Sequence, residues 1–214
     1  MRFLNLFLLA FALLFTAACG QQQQQPSAEP PPEPQAQAPQ PDPRMMERQR
    51  AQQEAGELRF VVDKSDRKVR VYRGDEVIRT HDVAVGDSEH ETPSGSWQFD
   101  RVDINPEWIP PDSEWAEDRE RRGPGDPQNP MGRARLVFNM PYTIHGTDNL
   151  ESLGQAASHG SIRVANSIVI ELAELLLRAG GAWDGQDWFR NMLDSRNEEF
   201  QIRLERPIPI EVVD

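Results

Sequence analysis

The chain has 214 residues, with 23 Lys and Arg against 35 Asp and Glu, a formal net charge of −12 and a single cysteine. One cysteine excludes an intrachain disulfide framework, a zinc ribbon and an iron–sulfur cluster held by cysteines. The acidic balance argues against a nucleic-acid-binding protein, which would carry a basic face.

The N-terminus has the layout of a secretory signal. Arg2 precedes an apolar run over residues 3–15, and small residues then lead to Cys19. The run is shorter than the roughly 20 residues that span a bilayer. Two interpretations stay open: an ordinary signal peptide cleaved near Ala18, or a lipoprotein-type signal peptide over residues 1–19. We favour the second, because small residues before the chain's only cysteine resemble a lipobox; a lipid on Cys19 would anchor the protein to a membrane.

The next segment has the composition of a tether. Residues 20–55 contain 11 Gln and 8 Pro and no Val, Ile, Leu, Phe, Trp or Tyr. Such a segment cannot bury enough apolar surface to offset the entropy of ordering it, so we predict a disordered tether over residues 20–56. Residues 57–214 then form one domain, long enough to bury a core.

Within that domain the pattern predicts a mainly β fold with a few helices. Apolar side chains alternate with polar ones in the first segments, which indicates an antiparallel meander. Asn166 is a candidate N-cap for a helix with one apolar face. Strands are predicted at 58–62, 68–72, 77–85, 97–99, 136–138, 142–145, 200–204 and 208–213, and helices at 167–179 and 186–195.

A long proline-rich insertion over residues 103–131 separates these strands. Loops of this length are usually lids or binding surfaces rather than passive connectors. The insertion carries Trp108 and Trp115. Either these tryptophans help to close a lid over a substrate, or they only anchor the insertion.

Two of the four histidines stand directly before a glycine. These are His145 and His159, whereas His81 and His90 are predicted to be structural or solvated. A glycine beside a polar side chain lets backbone amides approach a ligand closely.

Three interpretations of these histidines compete. A metal site of His145, His159 and Asp148 would lack the usual short ligand spacing. In nucleophilic catalysis, Ser161 would attack a carbonyl, His145 would take its proton, and the amides of Gly160 and Ser161 would hold the oxyanion. The third interpretation is a pair of turns with hydrogen-bonded imidazoles, and the spacing alone favours it.

Residues 144–166, IHGTDNLESLGQAASHGSIRVAN, resemble the signature of L,D-transpeptidase catalytic domains of the YkuD type. In that family an IHG histidine is followed by an SHGC segment, and an arginine and an asparagine follow the cysteine. Residues 92–95, Thr-Pro-Ser-Gly, resemble the family's TPxG element, and residues 105–111, 123–125 and 129–132 resemble elements around its donor groove. The resemblance covers residues 58–213 and implies a mainly β, sandwich-type catalytic domain.

The resemblance also implies a role in bacterial peptidoglycan. The family cuts an L,D bond in a tetrapeptide stem, releases the terminal D-Ala and passes the acyl group to an amine. It needs no metal or organic cofactor. For this chain, the resemblance implies that Ser161 is the nucleophile and His145 the base, and that Gly146 and Gly160 contribute backbone groups to the site. It places the stem peptide against Ser158, His159, Arg163, Asn166 and Trp108.

One departure concerns the nucleophile itself. Ser161 stands where the family has its catalytic cysteine. A thiol ionises near pKa ~8.5, whereas the pKa of a hydroxyl is far higher, closer to that of water, so a hydroxyl needs a general base. The chain is therefore expected to be a serine-dependent acyltransferase, an L,D-carboxypeptidase or other hydrolase with the same acyl-enzyme, or an inactive peptidoglycan-binding relative.

Partners and location follow from the same reasoning. The expected partners are peptidoglycan stem peptides and a membrane, reached through the lipid on Cys19. The acyl acceptor is another stem peptide, a lysine of an envelope protein, or water. The expected location is the bacterial cell envelope, on the periplasmic or extracytoplasmic side.

Overall fold

The computed structural model describes residues 42–46 and 58–214. The predicted signal peptide, Cys19 and nearly all of the predicted tether lie outside these residues. Residues 43–46 are helical. Within the described ranges, no helix is long and apolar enough to cross a bilayer.

Ten strands and two α-helices make up residues 58–214, which confirms the mainly β prediction. Two short 3-10 helices, Glu114–Ala116 and Leu150–Ser152, lie in connections. The strands are β1 (Leu58–Asp63), β2 (Lys68–Arg73), β3 (Glu76–Asp82), β4 (Val85–Gly86), β5 (Gly95–Ile104), β6 (Ala134–Asn139), β7 (Tyr142–Thr147), β8 (Ala156–Ser158), β9 (Ile162–Ala165) and β10 (Phe200–Val213), and the helices are α1 (Asn166–Ala179) and α2 (Gln186–Asp194).

Eight strands form one sheet in the order β3-β2-β1-β10-β5-β6-β7-β9, and β4 pairs with β8 in a two-stranded sheet. The first three strands are the predicted antiparallel meander. Strand β10 pairs in parallel with β1 and antiparallel with β5, so it joins the meander to the other strands. The two predicted C-terminal strands are one strand whose register shifts between Arg203 and Ile208. Pro207 has no N–H to donate, which interrupts the ladder there.

The core lies between the sheet and α1. The Phe60, Phe99 and Phe138 rings meet edge to face, with centroids 5.0 and 5.8 Å apart. From α1, Leu172 and Leu176 are fully buried. Full burial of such a side chain contributes roughly 1.5–3 kcal/mol. Helix α1 packs against β6, β7 and β9 and so supports the strands that carry the site.

The predicted strand at 77–85 ends early, at Asp82. Ala84 leaves the meander and exchanges two backbone hydrogen bonds of 2.9 Å with Arg163 on β9. Val85 and Gly86 then pair with β8. Val83, Ala84 and Val85 are all buried, so the sequence shows one continuous apolar run. This segment nevertheless leaves the meander and packs beside the turn at residues 158–161.

Candidate active site

A cleft of about 990 Å³ lies over β6, β7 and the turn before β9. The long connection between β5 and β6, residues 105–133, forms much of its wall; this connection is called the insertion below. Six of the nine residues predicted for the site line the cleft: Trp108, His145, Ser158, His159, Ser161 and Arg163. The other three, Gly146, Gly160 and Asn166, are not among the residues that line the cleft.

His145 lies on β7 and is only 3% exposed. Its Nδ1 is 2.9 Å from the Gly146 carbonyl oxygen. Because a carbonyl only accepts, Nδ1 carries the proton and Nε2 keeps a free lone pair. Burial, and then the charges of Arg163 and Arg135, lower the pKa of His145 to about 4. The imidazole is therefore neutral at neutral pH and able to accept a proton.

Ser161 lies just before β9, and its hydroxyl faces the start of β7. Its Oγ accepts a hydrogen bond of 3.3 Å from the Thr143 N–H and donates one of 3.5 Å to the Pro141 carbonyl. Both distances are long for hydrogen bonds to a hydroxyl. The structure contains no hydrogen bond between Ser161 and His145, two side chains that it describes and that line the same cleft. Such contacts often form only once substrate is bound.

Ser158 fixes the backbone turn that presents Ser161. Its side chain accepts a 3.2 Å hydrogen bond from the Gly160 N–H and donates to the Ser161 carbonyl. Gly160 has φ +100°, and a side chain there would meet the Tyr142 ring. Ser158 is 1% exposed and holds the turn, while its contact with substrate stays a prediction. The Gly160 amide, predicted to hold the oxyanion, is already used by Ser158.

Thr92 is a residue whose role the sequence did not reveal. Its Oγ1 donates to the Gly160 carbonyl at 2.8 Å and accepts from the Gly86 N–H at 2.8 Å. It is 1% exposed. The one feature of the sequence that pointed to Thr92 was its place in the Thr-Pro-Ser-Gly stretch. One buried hydroxyl thus ties the turn before Ser161 to β4.

Asn166 holds the backbone beneath the site. Its Oδ1 accepts from the Arg133 N–H and its Nδ2 donates to Asp148, both at 2.8 Å. It begins α1 as the first helical residue, and Ala165 occupies the N-cap position. The prediction of an N-cap at Asn166 is therefore wrong, whereas a substrate contact at Asn166 stays a prediction. A side chain at Gly146 would lie 2.2 Å from Asn166 Oδ1, so this close packing requires glycine.

His159 contacts the insertion directly. Its ring stacks on Trp115 with centroids 4.0 Å apart and planes 12° apart. It also meets the edge of His90 at 4.8 Å, and His90 Nδ1 lies 3.0 Å from Asp87 Oδ1. Partial burial, together with the charges of His90 and Arg163, lowers the pKa of His159. His90 thus lines the cleft, although the sequence predicted only a structural or solvated role.

These contacts separate the residues of the metal alternative. His145 faces the Gly146 carbonyl, His159 stacks on Trp115, and Asp148 binds Asn166. Among the residues that the structure describes, no group of three or more His, Cys, Asp or Glu side chains is placed to hold a metal ion.

The insertion is fixed by its own backbone contacts. Trp108 and Arg122 exchange two hydrogen bonds of 2.8 and 2.9 Å. The Asn129 side chain donates to the carbonyls of Pro106 and Gly123 at 2.8 and 3.0 Å. Trp108 is held in the cleft wall by this framework.

Two arginines flank His145 on the neighbouring strands. The ladder pairs His145 with Arg163 on β9 and with Arg135 on β6. The Arg163 guanidinium donates to the Ala157 carbonyl at 3.1 Å, and burial lowers its pKa. Arg135 was missed by sequence reasoning, because only the strand register places it beside His145.

The model of the YkuD L,D-transpeptidase catalytic domain matches residues 57–186. This chain belongs to that family. Two relatives named L,D-transpeptidase YkuD are similar to it. The protein from Bacillus licheniformis is 32% identical over 119 residues, which cover 55% of this chain and 59% of the relative. The protein from Bacillus subtilis strain 168 is 35% identical over 101 residues, or 47% of this chain and 49% of the relative.

The match to each of these L,D-transpeptidases therefore spans about half to three fifths of the relative's length. Among solved structures, the L,D-transpeptidase from Mycobacterium smegmatis aligns with a TM-score of 0.44 and 16% identity, over 74% of this chain and 59% of that one. A likeness at this level carries no argument about the site.

Proposed function

We propose that this chain is an exported, membrane-anchored peptidoglycan acyltransferase of the L,D-transpeptidase type, which forms an acyl-enzyme on Ser161. The observation that carries the proposal is a neutral His145, with a free Nε2, in the same cleft as Ser161. Family membership supplies the reaction class, and the signal-like N-terminus with Cys19 supports export and anchoring.

The first half-reaction cleaves the stem peptide. The Ser161 hydroxyl leaves the Pro141 carbonyl and turns toward His145, whose Nε2 takes its proton as Oγ attacks the carbonyl of the L,D bond. The imidazolium then gives this proton to the departing nitrogen. The C–N bond breaks, D-Ala leaves as an amine, and the acyl group stays on Ser161 as an ester.

The second half-reaction reverses these roles. An acceptor amine attacks the ester carbonyl and gives a proton to His145, which returns it to Ser161 as the ester bond breaks. Attack by water instead of an amine makes the chain a carboxypeptidase. Because the Gly160 amide is occupied, we assign the oxyanion to the Ser161 amide and the Thr143 N–H, which already points at Ser161 Oγ.

The walls of the cleft suit a stem peptide. Arg163, half-buried beside the nucleophile, offers a guanidinium to a substrate carboxylate. Trp108 and Tyr142 supply aromatic surface in the same cleft. These contacts support the assignment of tetrapeptide stems as substrate, with a second stem or an envelope-protein lysine as acceptor.

The test is incubation of the full chain with tetrapeptide muropeptides. We expect release of D-Ala and an acyl adduct on Ser161 by intact-mass and peptide-mass measurement. Ser161→Ala should lose both signals, whereas Ser96→Ala, an exposed serine on β5 outside the cleft, should keep them. Turnover that survives in Ser161→Ala would remove Ser161 from the mechanism.

A second variant separates the proposal from its rival. Ser161→Cys should acylate faster, because a thiol ionises near pKa ~8.5, whereas a hydroxyl stays protonated far above neutral pH. The lack of a hydrogen bond between Ser161 and His145 favours the rival, a binding protein without turnover. Muropeptide binding with no adduct and no D-Ala from the native chain would establish that rival.

A further inference from the structure

Four charged or titratable side chains lie in one row across four strands. Asp103 on β5 pairs with Arg135 on β6, Arg135 pairs with His145 on β7, and His145 pairs with Arg163 on β9. Side chains directly opposite one another on a sheet have Cβ atoms roughly 4.5–5.5 Å apart. Each member of the row is therefore the direct neighbour of the next.

Arg135 is held toward the carboxylate end of the row. Its guanidinium lies 2.7 Å from Asp103 and 3.3 Å from Glu199, and its side chain is 14% exposed. The Asp103 carboxylate is fully buried and also lies 2.8 Å from Arg101. A cation thus separates the imidazole of His145 from the buried carboxylate.

This order is the reverse of a histidine–carboxylate pair. In a serine triad the carboxylate contacts the imidazole and stabilises its protonated form. Here the Gly146 carbonyl fixes the tautomer, and both strand neighbours of His145 are arginines. We propose that Arg135 is a positioning residue that, together with the burial of the ring, keeps His145 neutral by standing between the imidazole and Asp103. The proposal rests on the function assigned above, in which neutral His145 is the base.

The other elements around His145 bring no compensating anion into contact with it. Helix α1 presents Val169 at Gly146. On the turn before β9, the titratable neighbour is His159, which stacks on Trp115. The described charged residues of the insertion that line the cleft make no hydrogen bond or ion pair with His145; they are Asp112, Asp118, Arg119, Glu120 and Arg122.

The order of these four side chains determines in which direction the protonation of His145 moves when Arg135 is removed. Removing Arg135 takes away a cation beside His145 and leaves Asp103 facing it, with Arg101 as its remaining partner. Both changes favour the imidazolium, so protonation moves to higher pH. Since only the neutral ring acts as a base, activity in the native chain falls as pH drops through about 4, and in the variant it falls at higher pH.

The test is an NMR titration of the His145 ring in the full chain, with the signal assigned by its loss in His145→Gln. We expect His145 to stay neutral down to about pH 4. Arg135→Gln should raise the midpoint, while burial and Arg163 still hold it below the ordinary value of a histidine, and Arg135→Lys should restore it. Arg101→Gln is the matched control, because it also removes a partner of Asp103 but lies opposite Val137 and outside the cleft.

An unmoved midpoint in Arg135→Gln, or an equal shift in Arg101→Gln, would overturn the proposal. If Arg135→Gln does not fold, the double variant Asp103→Asn/Arg135→Gln keeps a neutral hydrogen-bonded pair and should still raise the midpoint. The titration of His145 does not require turnover, so it tests the role of Arg135 even if the chain forms no acyl-enzyme. In an active chain, the acid limb of kcat/KM should move with the midpoint.

Discussion

Thr92 shows how much of the site depends on one buried hydroxyl. It donates to the Gly160 carbonyl and accepts from the Gly86 N–H. Ser158 completes the arrangement from the other side of the turn. The position of Ser161 is thus set by two buried side chains, Thr92 and Ser158.

Thr92→Val should therefore destabilise the protein and lower its activity together. The replacement has nearly the same shape but leaves two buried backbone groups without a partner, which costs about 1–3 kcal/mol. Urea unfolding and D-Ala release measure the two effects. Thr92→Ser keeps the hydroxyl and should stay close to the native values; equal losses in both variants would show that the methyl group, and not the hydrogen bonds, matters.

At the scale of elements, the insertion and the turn before β9 meet at one aromatic contact. Trp115 stacks on His159 at 4.0 Å, while Trp108 is fixed by its backbone pairing with Arg122. The contact joins the cleft wall to the segment that carries Ser161. It anchors the insertion, as the second interpretation of Trp115 expects, and the covering of a substrate by Trp115 stays a prediction.

Trp115→Ala should weaken substrate binding more than it slows the chemical step. A stacked aromatic pair contributes about 0.5–1.5 kcal/mol beyond buried area, so we expect KM for a muropeptide to rise several-fold with a smaller change in kcat. Trp115→Phe keeps a ring and serves as the control. An unchanged KM in Trp115→Ala would show that the tryptophan only anchors the insertion.

The sequence located most strands but not their partners. Alternation at β1 and β2 was sufficient because one face of the meander is buried. The alternation did not show that the strand predicted at 77–85 ends at Asp82. Ala84 leaves the meander to pair with Arg163, but the residues around it are all apolar, so the sequence pattern does not mark this break. Arg135 could not be found at all, because its place beside His145 depends on register between strands. The N-cap prediction at Asn166 was wrong because the helix begins one residue earlier than expected, with Ala165 at the cap; the substrate contacts of Ser158 and Asn166 stay predictions.

At the scale of the whole molecule, the net charge of −12 gives no electrostatic attraction to an anionic membrane surface. Attachment would therefore depend on the lipid proposed for Cys19, which can anchor a chain without a spanning helix. The proline- and glutamine-rich segment behind it would set the distance between the membrane and the cleft.

Cys19→Ser should abolish this attachment. We expect the native chain to partition with membranes and the variant to remain soluble or unprocessed, as measured by fractionation and by the mass of the mature N-terminus. Ser27→Ala, in the predicted tether that follows Cys19, is the control and should behave as the native chain does. Unchanged partitioning of Cys19→Ser would discard the lipoprotein interpretation.

Strand β10 has a consequence for synthesis. It is the only connection in the described sheet between the meander and the strands of the site, yet the ribosome makes it after all of them. Until residues 200–213 emerge, β1 and β5 expose unpaired edges that are prone to aggregate. The sheet therefore cannot be completed until residues 200–213 are available to pair with β1 and β5.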